Sequence, residues 1–190
     1  MIKIDVLVIG DYERDAEGNV FGAYSTSTLI RTGTRNIVVD TSAKDWWPAV
    51  KTSFRQIGIF PEDVDTVILT HTHHDHIGNL DHYPKAKVLV HSGEEREVPG
   101  AEIIDSDTEI EKGIRLVHTP GHTPGSMSVY IQADKRYVLA GDAIPKKGNY
   151  EKLMPPAINT DPDAALKSIK EIIKYADVII PGHDLPFVTR

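Results

Sequence analysis

Four histidines and an aspartate crowd into six residues, His71 to His76, inside the stretch ILTHTHHDHIGNL that runs from Ile68 to Leu80. An apolar run, Val67-Ile68-Leu69, precedes them and Ile77 follows. A solvated loop has no need of four imidazoles, and a purification tag would be an unbroken histidine run at a terminus. Metal binding is the chemistry that asks for them. The same residue types recur behind other apolar runs: His122 within TPGHTPGS, Asp142 after VLAG and His183 after VIIPG. His71, His73, Asp75, His76, His122, Asp142 and His183 make seven nitrogen and oxygen donors. Such donors suit zinc, and iron and manganese as well. The chain has no cysteine, so no thiolate can share the work. Seven groups exceed one tetrahedral shell and fit two neighbouring ions. On an extended segment the H-x-H spacing aims His71 and His73 to one side, and Asp75 and His76 can turn toward the next position.

These donors need rigid elements to aim them. IKIDVLVIG alternates apolar residues at Ile2, Ile4, Val6 and Val8, the period of a half-buried strand. AYSTSTLIRTG and RNIVVDTS, separated by Gly33-Thr34, read as a hairpin. From Lys44 to Ile57, Trp47, Val50, Phe54 and Ile57 fall at helical spacing, and Gly58 closes the run. PEDV makes a short helical turn, and DTVILT and AKVLVH are strands. GIRLVHT, SMSVYIQ and RYVLAGD are three more, joined by short links. PDAALKSIKEIIKYA is a helix capped by Thr160 or Asp161, with Ala165, Ile169, Ile172 and Ile173 inward, and DVIIP is the last core strand. Each half thus runs strands, then a helix feeding one final strand. That order predicts two similar αβ halves packed sheet to sheet with helices outside. Residues 1–190 read as one domain, without linker, low-complexity segment or short repeat.

Composition narrows the function classes. A net charge of −7 without any Lys or Arg run argues against a broad electrostatic grip on nucleic acid, although a metal-centred nuclease with a local basic patch stays open. The absence of cysteine removes disulfides and thiolate catalysis. No apolar stretch approaches the roughly 18 residues of a membrane span, and the N-terminus lacks the pattern of a signal peptide. The expected location is the cytoplasm, without membrane association.

The motifs also carry a resemblance. THTHHDH resembles the T-H-x-H-x-D-H signature of the metallo-β-lactamase-fold hydrolases, and TPGHTPGS, LAGD and PGHD resemble that family's later motifs in the same order. The early VVDTS, with Asp40, resembles its first motif. The likeness spans Ile4 to Asp184. It implies an α/β (α+β) fold, a four-layer αββα sandwich. It further implies that His71, His73 and His122 hold a first metal, that Asp75, His76 and His183 hold a second, and that Asp142 bridges both. Asp40 would support the metal loop by hydrogen bonding. The cofactors expected are two divalent ions, zinc first, with iron or manganese as alternatives.

Two cations about 3.5–4 Å apart can share a water and bring its pKa toward neutrality, giving a nucleophile without serine or cysteine. Asp75 is then the catalytic carboxylate that orients the nucleophile and passes its proton on. Hydrolysis of an ester, thioester, lactone or related bond in a small molecule follows. Thioester-cleaving glyoxalases of the family usually add a C-terminal helical domain and RNA-processing relatives an inserted domain or arm, so a minimal family member is the expectation here. At the second ligand place, where diiron flavoproteins of this fold carry glutamate, it has His73. A mononuclear-iron persulfide dioxygenase and a small ribonuclease of the same fold are the alternatives. His91 and Lys146, near the same rim, are candidate substrate contacts. His74, at the signature's variable position, is expected to face solvent or the pocket, while His82 and His118 read as structural. Substrate and oligomeric state are left open.

Overall fold

In the computed structural model, which describes residues 1–189, the alternating N-terminal segment forms β1 (Lys3–Val8). A small two-stranded hairpin follows, a polar β2 (Asp11–Arg14) and an apolar β3 (Val20–Tyr24), largely exposed and paired only with itself among the described residues. The hairpin read around Gly33 is β4 (Ser27–Arg31) and β5 (Asn36–Val39), antiparallel from Thr28↔Val39 to Arg31↔Asn36. A 3-10 turn at Lys44–Trp46 leads into α1 (Trp47–Ile57), which buries Val50 and Phe54. Gly58 ends it in the left-handed conformation (φ 77°) that a side chain would disfavour. β6 (Thr66–Ile68), the single turn α2 (His74–Ile77), β7 (Lys87–His91) and β8 (Glu102–Ile104) complete the first half. Here the expectation of one strand after the helix is corrected: α1 leads into three parallel strands, because β7 and β8 add on beyond β6.

The second half runs β9 (Thr108–Glu111), β10 (Ile114–His118), β11 (Met127–Gln132), β12 (Arg136–Gly141), the short helix α3 (Lys147–Lys152), α4 (Pro162–Tyr175), β13 (Val178–Pro181) and β14 (Phe187–Val188). Asp161 caps α4, its carboxylate accepting from the N–H groups of Asp163 and Ala164.

The strands form two six-stranded sheets, ordered β1-β4-β5-β6-β7-β8 and β14-β13-β12-β11-β10-β9. Ile30, Ile37, Val39, Ile68 and Leu89 of the first meet Leu116, Met127, Val129, Ile131, Leu139 and Ile180 of the second in a shared core. On the outer faces, Val50 and Phe54 of α1 pack on Leu29, Val38 and Val67, while Ile169 and Ile172 of α4 pack on Val138 and Ile179. The result is the expected αββα sandwich. Among the described residues no helix is long and apolar enough to cross a membrane. The parallel pairs β5–β6 and β12–β13 aim their C-terminal ends to one rim, and β10, antiparallel to β11 and hence parallel to β12, does the same. Backbone bonds join the halves there: Met127 N–H donates to the Thr70 carbonyl at 2.8 Å, and Thr26 N–H to that of Gly182 at 2.7 Å.

Candidate metal centre

Past the end of β6 the chain delivers His71 and His73 to the rim, and the loop after β10 delivers His122. His71 Nε2, His73 Nδ1 and His122 Nε2 stand 3.1, 3.2 and 3.0 Å from one another. A closed triangle of imidazole nitrogens cannot be satisfied by mutual hydrogen bonds. It does match one face of a tetrahedron, whose edge is about 3.3 Å for metal–nitrogen bonds of about 2.0–2.1 Å.

A second group lies beside the first. Asp75 Oδ2 is 3.8 Å from His76 Nε2 and 3.4 Å from His183 Nε2. Asp142 stands between the groups: its Oδ1 is 3.5 Å from His76 and 3.3 Å from His183, while its Oδ2 is 3.6 Å from His122 Nε2. His76 Nε2 and Asp142 Oδ1 are buried without a hydrogen-bond partner among the described residues. An unsatisfied buried polar atom costs about 1–3 kcal/mol, and a cation coordinated by both would remove that cost. The donor set therefore fits metal.

Four of the five ring nitrogens that point away from these clusters are held. His76 Nδ1 donates to Asp40 Oδ2 at 2.7 Å, His122 Nδ1 to the Ile158 carbonyl at 2.8 Å and His183 Nδ1 to the Tyr24 carbonyl at 2.9 Å. His71 Nδ1 donates to Thr70 Oγ1 at 3.1 Å, and that hydroxyl donates to Asp40 Oδ2 at 2.7 Å. Asp40 Oδ1 also accepts from Thr70 N–H at 2.8 Å. One buried carboxylate therefore orients two rings and the strand end that carries His71. Fixing the far nitrogen as a donor leaves the near one as a lone pair. Burial, reinforced by His76 and His122, holds His71 well below the ordinary imidazole range, in the neutral form a ligand needs. For His76 burial also opposes charge, yet Asp40, Asp75 and Asp142 outweigh it and raise its pKa well above that range. Asp142 resists burial in the same way, held well below the usual carboxylate range by His183 and His76. Positive charge is what this second group demands.

The pattern matches the family model described as the metallo-beta-lactamase superfamily over residues 20–100 and 94–183. The chain belongs to the metallo-beta-lactamase superfamily. A probable metallo-hydrolase of Methanocaldococcus jannaschii is 39% identical over 148 residues, 78% of this chain and 70% of that one. Metallo-beta-lactamase domain-containing protein 1 of Xenopus laevis is 33% identical over 202 residues, 97% and 81% of the two chains. An N-acyl homoserine lactonase from a Bacillus species is 32% identical over 151 residues, 69% of this chain and 60% of the lactonase. A solved quorum-quenching N-acyl homoserine lactone hydrolase superposes with a TM-score of 0.78 at 25% identity, over 97% and 92% of the chains.

In this superfamily member the seven expected donors come together, and Asp40 lies directly behind them. The two expected substrate contacts are placed elsewhere. His91 is buried with its ring flat on His118, centroids 4.1 Å apart, and its Nδ1 accepts from Gly93 N–H. Lys146 is paired with Asp11, and its Nζ sits 4.3 Å from the Tyr12 ring centre. Neither lines the cavity over the donors. That cavity, about 90 Å³, is walled by Tyr12, Arg14, Val20 and Ala23 of the β2–β3 hairpin and by Pro145, Pro156, Ala157 and Ile158. Sequence reasoning missed the hairpin because its strands are short and largely exposed, with no buried face to set a period. It missed the carbonyls of Ile158 and Tyr24 because a backbone acceptor has no side-chain signature. His74 is exposed, with Arg96 Nη1 donating to its Nδ1 at 2.8 Å. His82 stacks on Trp47 at 3.9 Å.

Proposed function

We propose that this metallo-beta-lactamase-superfamily hydrolase uses two divalent ions, zinc first, to cleave an ester-type bond in a small molecule, with lactones the leading class. The observation that carries the reading is Asp142, whose two oxygens face two different donor groups. His71, His73 and His122 would hold one ion and Asp75, His76 and His183 the other, with Asp142 shared. When bound, such ions acidify a shared water and polarise the carbonyl under attack. Asp75, which lines the cavity, would orient the nucleophile and take its proton on a carboxylate oxygen. The small cavity has room for the reacting group, and Val20, Ala23, Pro156 and Ile158 line it. The remainder of the substrate has room in an adjoining cleft of about 300 Å³ that shares His73, His122 and Ile158 and adds Thr72, Glu94, Arg96 and Asn159. The lactonase relatives act on molecules of this class, which is why lactones head the list.

Metal analysis of untagged, chelator-free protein should return two ions per chain; one or fewer in replete protein would remove the shared-water mechanism. A panel of lactones, esters, thioesters and phosphodiesters should then show turnover. With saturating metal, Asp75→Asn should lose about 10²–10⁴-fold in turnover, the range for loss of a general base. Recovery of near-normal turnover on adding metal would reduce Asp75 to a ligand. Oxygen uptake with a persulfide by iron-loaded protein, with the hydrolytic panel silent, would replace hydrolysis by the dioxygenase alternative.

A further inference from the structure

The first donor triangle takes His71 and His73 from one half of the molecule and His122 from the other, so something must hold the two loops in register. Thr72 lies between His71 and His73, and on an extended segment its side chain points opposite to theirs. Thr123 directly follows His122. Both threonines are buried, and both reach the same carboxylate, Glu94, on the loop after β7. Glu94 Oε2 accepts from Thr72 N–H at 2.8 Å and from Thr72 Oγ1 at 2.7 Å. Its other oxygen, Oε1, accepts from Thr123 Oγ1. Ser126 completes the arrangement: its Oγ lies 2.7 Å from Thr123 Oγ1 and accepts from Thr123 N–H at 3.1 Å. The loops are built to touch. A Cβ on Gly125 would lie 2.4 Å from Glu94 N and 2.6 Å from the carbonyl carbon of Gly93, so glycine at 125 permits the approach.

We infer that Glu94 is a positioning residue for the first metal site, a charged staple that clamps the His71–His73 segment to the His122 loop across the two halves. The inference rests on the metal reading above. Hydrogen bonds to an ionised acceptor are roughly twice as strong as neutral ones, and three of them converge on one side chain that itself touches no candidate ligand ring. Displacing either loop would open the triangle of nitrogens, whereas the second donor group, held by Asp40 and the Tyr24 carbonyl, would be left in place.

The test uses the full chain, stripped of metal and titrated with Co²⁺ against a chromophoric chelator, with the visible absorption of the cobalt protein as a geometric readout. Glu94→Ala should weaken binding of the first ion by about 10–100-fold, the usual effect of removing a group that orients ligands, and should change the cobalt spectrum. Glu94→Gln, whose amide oxygen can still accept from Thr72, should recover most of both. Thr123→Val, which cuts one arm only, should shift affinity in the same direction by less, and it carries the test if the alanine variant fails to fold. A Glu94→Ala protein with wild-type affinity and spectrum, whatever its unfolding temperature, would overturn the inference alone. Wild-type protein that binds no cobalt would overturn the metal reading and this inference with it. Normal affinity and spectrum in the alanine variant with lost turnover would place Glu94 on the substrate side instead.

Discussion

Asp40 shows how much of this site rests on one side chain outside the donor set. Its backbone is in the left-handed region at φ 55°, which aspartate tolerates better than most residues. Its two oxygens collect Thr70 N–H, Thr70 Oγ1 and His76 Nδ1. Replacing it by alanine strands two buried N–H donors, at about 1–3 kcal/mol for an unsatisfied buried group. Asp40→Ala should therefore lower the urea midpoint of chelator-treated protein and weaken metal binding by about 10–100-fold. Asp40→Asn keeps the backbone preference and one acceptor and should fall between. Wild-type metal affinity in the alanine variant would detach Asp40 from the site.

Among the elements, the strand ends β12 and β13 aim Asp142 and His183, and two changes test these strands. A Cβ at Gly182 would stand 2.1 Å from Asp142 Oδ1 and 2.9 Å from the Gly141 carbonyl oxygen. Gly182→Ala should move Asp142, so metal content should drop while the far-ultraviolet spectrum persists. Full occupancy in that variant would mean Asp142 is not held where both donor groups need it. At the opposite ends of the same strands, Asp177 accepts from Arg136 through its side chain and backbone N–H, which holds its carboxyl down at about 2. Its folded pKa lies below the unfolded value, so the stabilisation is present above about pH 4 and lost as pH falls toward about 2. Asp177→Asn should lower the unfolding temperature near neutral pH, with the gap narrowing through that acid window. A gap constant with pH would rule out the ion pair as its cause.

For the whole molecule, the candidate metal centre is also a seam. Residues from both sheets fill the central core, backbone bonds cross at the rim, and the first donor group draws on both halves. Calorimetry should show one cooperative transition, with chelator lowering its temperature. An ion at a thousand times its dissociation constant adds about 4 kcal/mol when it binds only the folded state. His122→Ala should remove most of that difference. Two separable transitions would split the single domain that the sequence suggests.

What the sequence by itself determined was whatever local pattern can encode. The period-two run that became β1 and the inward stripe of α4 follow from burial of one face, which each segment records in its own residues, and the cap read at Thr160 or Asp161 follows from a polar side chain just ahead of the helix. The seven donors were legible for a related reason: imidazole and carboxylate at the ends of apolar runs have few other uses. Tertiary structure alone decided the rest. It showed that His91 lies flat on His118 and that Lys146 pairs with Asp11, since the partner of a polar side chain is chosen by packing across long sequence distances. It turned the exposed hairpin of residues 11–24 into a cavity wall, because its order comes from pairing and not from hydrophobic periodicity. It also brought Glu94 to Thr72 and Thr123, and the carbonyls of Tyr24 and Ile158 to His183 and His122. A threonine hydroxyl or a peptide carbonyl looks the same everywhere along a chain, and only the fold makes one of them the partner of a candidate metal ligand.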